Sequence, residues 1–144
     1  MDKLELWFSA NLGEDMRPLR KIASSGELSR VMLAMKTVLA DADAVPTVVF
    51  DEIDMNIGGE TANRVGEELH ALGSHRQILC ISHLVQVAAR ADAHFLAEKH
   101  TEKGRTLSYV HRLDDVKPEL ARMLGGGESS LRHAEALMKE LARK

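Results

Sequence analysis

The chain has 144 residues, with 19 Lys and Arg against 22 Asp and Glu and a formal net charge of −3. That length suits one ordinary domain with its own buried core, and the charge excludes a strongly basic footprint for nucleic acid while leaving local binding open. The single cysteine, Cys80, excludes an internal disulfide, and no signal peptide or apolar run of membrane-spanning length is visible, so the expected setting is a reducing cytoplasm away from membrane.

Leu4-Glu5-Leu6-Trp7-Phe8 alternates as a strand does, and Asn11-Leu12-Gly13-Glu14-Asp15 breaks the pattern, which reads as an edge strand and a loop. Arg17, Arg20 and Lys21 form a small basic cluster, read as a solvated loop in preference to a phosphate contact. Ala23 to Glu27 opens a helix whose Leu28, Val31, Met32, Met35, Val38 and Leu39 recur at helical spacing and are expected in the core. Ser24 and Glu27 satisfy the S-x-x-E capping box. The same helix start offers N–H groups and a positive dipole end to an anion such as phosphate.

Thr47-Val48-Val49-Phe50 is apolar without alternation, the pattern of a central parallel strand covered on both faces, and it ends in Asp51-Glu52. Ligands of open α/β sheets collect at that end of the strands. Neighbouring strand residues face opposite ways, so both acids serve one site only if the chain turns at Glu52, and Asp54 to Gly59 supplies turn-forming residues. A helix over 60–72 follows, with Ala62, Val65, Leu69 and Leu72 inward and Gly73 as its stop. Gln77 to Ile81 is a second apolar strand ending in Ser82-His83, so the βαβ rule puts His83 at the same sheet edge as Asp51 and Glu52. The other six histidines are read as surface groups, and Cys80 as a small buried thiol.

The remainder is peripheral. Val85 to Arg90 is a short helix, and Ala93 to Glu98 with Leu107 to His111 form a hairpin around Glu102-Lys103-Gly104-Arg105. Pro118 suits the first position of a helix running to Leu124. Gly125-Gly126-Gly127 reads as a hinge, and 129–143 as a last helix with Leu131, Ala134, Met138 and Leu141 on one face.

Ser24-Ser25-Gly26-Glu27, Asp51-Glu52, the turn from Asp54 and the strand-ending His83 resemble, in order, the signature motif, Walker B, D-loop and switch histidine of ATP-binding-cassette ATPases. Lys21 to Arg30, Phe50 to Asp54 with Ile57-Gly58-Gly59, Ser82-His83-Leu84 with Gln86-Val87-Ala88, and Ala121 to Gly126 resemble the C-terminal part of the bacterial RecN family over nearly the whole chain. The resemblance implies an α/β fold: the C-terminal lobe of an SMC-type P-loop ATPase head over 1–144, a mostly parallel sheet flanked by helices. No glycine is followed by lysine, so G-x-x-x-x-G-K-[ST] is absent, as is a long heptad region; the Walker A lobe and coiled coil are expected elsewhere in a longer protein.

The resemblance further implies roles. Asp51 would orient Mg²⁺ through water, Glu52 would polarise the water that attacks the γ-phosphate of ATP, and His83 would contact that phosphate. Ser24, Ser25, Gly26 and Glu27 at the helix start would bind ATP held by a second, identical head, and Asp54 would couple the two sites. DNA would be met by the full-length, nucleoid-associated protein in double-strand-break repair, and the isolated chain would be inactive. Ser25 stands where the family has its first signature glycine, and Asn56 where its D-loop has glycine; a serine forced into left-handed backbone is expected to strain the motif by about 1 to 3 kcal/mol. Two alternatives stand beside this: a non-hydrolysing lobe that only binds a partner head or DNA, and a metal-dependent hydrolase using Asp51, Glu52, Asp54 and His83 as ligands.

Overall fold

A computed structural model describes residues 5–9, 13, 15–21, 24–40, 42, 44–102 and 104–141. Leu4, Asn11, Leu12, Glu14, Ala23, Lys103 and Arg143, on which some of the expectations above fall, lie outside the described residues. The chain divides into two compact units, Met1–Ser82 and His83–Lys144.

The first unit opens with a short antiparallel pair, β1 (Trp7–Phe8) and β2 (Arg17–Pro18), so the expected edge strand has a partner that its sequence did not announce. A 3-10 turn, Leu19–Lys21, follows, and Arg20 makes an exposed ion pair with Glu5 at 2.8 Å. The basic cluster is therefore surface, and such a pair contributes little. Helix α1 spans Ser25–Val38. Its buried residues are Gly26 and Leu33, whereas Leu28, Met32, Val38 and Leu39 of the expected core stripe are 42, 39, 84 and 50% exposed. The reason is visible in the sequence: α1 is apolar on more than one side, and only the Leu33 side is covered in this unit.

Strands β3 (Thr47–Phe50) and β4 (Gln77–Cys80) pair in parallel, Phe50 opposite Cys80, across helix α2 (Gly59–Gly73). This is the expected βαβ unit. Helix α2 buries Ala62, Val65, Leu69 and Leu72, the four residues its periodicity pointed to. The expectation of a strand covered on both faces is corrected. Phe50 is 2% exposed, but Val49, Leu79 and Ile81 are 60, 47 and 61% exposed on the opposite side of a two-stranded sheet. An unalternating apolar strand asks for cover on both faces, and the first unit supplies one.

In the second unit, α3 (Val85–Ala88) precedes an antiparallel hairpin, β5 (Phe95–Glu102) and β6 (Arg105–Arg112), which starts two residues after the expected Ala93 and runs further toward its turn than its sequence pattern indicates. His94 is half-buried against the Ala88 carbonyl at 2.8 Å, so it is a structural group and not a surface one. Helix α4 (Lys117–Met123) carries Pro118 in its first turn, and Asp115 Oδ1 accepts from the Lys117 N–H at 3.1 Å, closing the helix start. Arg122 donates twice to Glu119, at 2.8 and 2.6 Å, which holds that carboxyl below its usual range. Gly125, Gly126 and Gly127 all have φ near +80 to +100°, and the Gly126 N–H donates to the Ala121 carbonyl, ending α4 as a left-handed cap. Helix α5 (Gly127–Leu141) starts two residues before the expected Ser129. Its Ala134 joins Val85, Val116, Leu120 and Ala121 in the core of this unit.

Candidate functional site

Strand β3 ends at Phe50, and the chain turns at once. Glu52 has φ +56° and Asn56 φ +58°, the two non-glycine residues in left-handed backbone among those described. Such a conformation costs a non-glycine residue on the order of 1 kcal/mol or more, and it persists where surrounding contacts hold it. It lets both acids leave the strand end exposed, as the sequence required. Asn56 is among the residue types that tolerate this geometry best.

Contacts to the turn come from the first two turns of α1. Ser29 Oγ donates to the Asp51 carbonyl at 3.0 Å, and Arg30 Nη1 donates to the Ile53 and Met55 carbonyls, each at 3.1 Å. Ser25 Oγ donates to the Glu52 carboxylate. Gly26 lies so close that a Cβ there would stand 3.0 Å from the Glu52 carbonyl oxygen and 3.1 Å from Met55 Cβ. In the sequence Ser29 and Arg30 are only letters of a motif; a serine and an arginine in the second turn of a helix are too common to mark a clamp.

Gly26 thus answers a close approach, with no positive φ involved. Gly26→Ala is expected to lower stability by about 1 to 3 kcal/mol, because the obstructing atom is backbone held by its own hydrogen bonds. Thermal unfolding checks this, and an unchanged melting temperature contradicts it.

Ser24 takes the extended N-cap conformation, but no side-chain hydrogen bond caps the helix there, so the expected capping box is not made. Side-chain hydrogen bonding at this helix start runs outward, from Ser25, Ser29 and Arg30 to the acidic turn. Glu27 is half-buried in the first turn. Ser25 is the first residue of α1 and has ordinary backbone, which removes the expected strain at that position in this structure.

Asp54 is 1% exposed, and Ser82 Oγ, just past β4, donates to its Oδ2 at 2.6 Å. The turn is thereby tied to the second strand as well as to α1. Beside it, burial, helped by Asp54 and then Asp51, pushes the Cys80 thiol up to about 12, so the group is unreactive near neutrality. His83 is exposed and begins the second unit. Among the described residues no three His, Cys, Asp or Glu side chains gather as a metal-binding group, and Asp54 already serves Ser82. No helix among them is long and apolar enough to cross a membrane.

A βαβ unit whose first strand delivers two acids against the start of an earlier helix defines the α/β fold class of this part of the chain. The Smc head domain with a coiled coil and joint derived from Pyrococcus yayanosii shares the fold, with a TM-score of 0.54 and 22% identity over 92% of this chain and 21% of that one. No protein-family model matches the chain. Sequence narrows the class. The chain is 51% identical over 148 residues to the DNA repair protein RecN of Treponema pallidum and 53% identical over 137 residues to that of Deinococcus radiodurans. It is 39% identical to RecN of Bacillus subtilis over 145 residues. The chain belongs to the RecN family, as a match to the C-terminal part of its members. It spans about a quarter of their length, 26 and 24% of the first two, and 99 and 92% of this chain is covered.

Proposed function

We propose that the chain is the C-terminal lobe of a RecN-type ATPase head, acting in DNA repair as part of a longer protein. The observation that supports this best is the acidic turn, with Asp51 and Glu52 exposed at a strand end and the turn bound to the signature helix through Ser29, Arg30 and Gly26. Phosphoryl transfer depends on positioning and on charge stabilisation, and a turn tied down from two sides positions its carboxylates.

On this reading Glu52 accepts a proton from the attacking water, and Asp51 fits Mg²⁺, an ion that prefers one or two carboxylates and keeps several waters. When bound, that ion would neutralise charge on the phosphates of ATP. His83 contributes a donor to the γ-phosphate. Helix α1 presents its first N–H groups, beside Ser24, Ser25, Gly26 and Glu27, to ATP held by a second head, so nucleotide joins the two heads. Asp54, buried on Ser82, keeps the turn in register and so links the two sites from inside the lobe.

The phosphate cradle and the adenine contacts belong to the N-terminal lobe, which also covers the exposed side of β3 and β4. Phosphate release from the purified chain is accordingly expected to be negligible and to reach a Mg²⁺-dependent rate when an N-terminal, Walker A-bearing segment of the parent protein is added. Turnover by the chain alone would refute the lobe reading. Nucleotide-dependent binding of the two segments without hydrolysis would instead support a lobe that only binds partner heads or DNA.

A further inference from the structure

The hydrogen bond from Ser25 to Glu52 links residues 27 apart in sequence, one on the signature helix and one on the acidic turn. It is not what holds those elements together. Ser29 on the Asp51 carbonyl, Arg30 on the Ile53 and Met55 carbonyls, and the packing of Gly26 against the Glu52 backbone do that without the Ser25 hydroxyl. Ser25 and Glu52 are both exposed, so their bond can break without disturbing the core.

A serine hydroxyl has one proton to donate. Ionised carboxylate and phosphate oxygens are both acceptors, and each draws a shorter, stronger hydrogen bond than a neutral group does. Ser25 stands between two such acceptors on the reading above: Glu52 in its own lobe, and the γ-phosphate that a second head brings to the start of α1. It can serve one at a time.

We propose that Ser25 is a positioning residue that couples the two ATP sites of a head pair. With heads apart, its O–H donates to Glu52 and turns that carboxylate toward α1. When the second head closes, the O–H turns to the γ-phosphate, and Glu52 is released to orient water at its own site. No bond to carbon, oxygen or phosphorus changes in this step; one hydrogen bond is exchanged for another. The inference rests on the two-head reading.

The test is a double-mutant cycle on the full-length protein, with head association measured by sedimentation in a non-hydrolysable ATP analogue. The four proteins are unmodified, Ser25→Ala, Glu52→Gln and the double variant. In the unmodified background Ser25→Ala removes a hydrogen bond from the separated and the joined heads alike, so association changes little. Glu52→Gln leaves a weaker, neutral acceptor, so adding Ser25→Ala then removes chiefly the bond made in the joined state. Ser25→Ala is therefore expected to weaken association about tenfold more in the Glu52→Gln background than in the unmodified protein. Ser25→Thr, which keeps the hydroxyl, is expected to behave as the serine does in both. A ratio below about threefold between the backgrounds overturns the coupling while leaving the two-head reading in place. Absence of analogue-driven association in the unmodified protein overturns both.

Discussion

Glu52→Gln in the full-length protein is expected to slow ATP hydrolysis by about a hundredfold or more while ATP-driven head association persists or increases. The amide keeps the shape of the side chain and cannot take the proton of the attacking water. The backbone that aims it is unaffected, because the left-handed turn at Glu52 is held by Ser29, Arg30 and the close approach of Gly26 and not by the carboxylate. Asp51→Asn is expected to differ in kind, weakening Mg²⁺-dependent nucleotide binding, and His83→Ala to slow turnover with a smaller effect on binding. Single-turnover hydrolysis and nucleotide titration separate these. An unchanged rate in Glu52→Gln would make Glu52 structural and favour the non-hydrolysing lobe.

Val49→Lys combined with Ile81→Lys is expected to leave the isolated chain folded and to abolish its assembly with the N-terminal part of the protein. Both side chains lie on the open side of the β3–β4 sheet, 60 and 61% exposed, so a lysine there meets water in the isolated chain and changes its stability by about 0.5 kcal/mol or less. If the missing lobe covers that side, the same lysines are buried without partners, at a cost of several kcal/mol each. Circular dichroism of the chain alone, against co-purification of the two segments, distinguishes the cases. Undisturbed assembly would show that the apolar side faces something other than the N-terminal lobe.

The βαβ unit was legible because its determinants are local. Ala62, Val65, Leu69 and Leu72 repeat at helical spacing, two apolar runs flank them, and all four residues are buried where the period puts them. The acidic turn was legible for a similar reason: two carboxylates at a strand end followed by turn-forming residues need a sharp change of direction, and Glu52 and Asn56 provide it. On α1 the period misleads: it predicts one core stripe, yet Leu33 is buried while Met32 and Val38 are exposed, because a helix apolar on several sides does not say which one its own unit will cover.

By itself, then, the sequence determined the order of the elements, the parallel pairing of β3 and β4, the family, and the identity of the candidate groups, since each depends on spacing along the chain or on residue type. Only the tertiary structure decided which hydrogen bonds those groups make. Ser24 and Glu27 match a capping box that does not form, and Ser25, expected to be strained, instead reaches Glu52. Asp54 turns inward to Ser82, and Arg30, one letter in a motif, spans two carbonyls of the acidic turn. These are contacts between residues 22 to 28 apart in the chain. A short polar side chain has several partners within reach at its own helix start, and which one it takes is set by whatever backbone the fold packs against that helix.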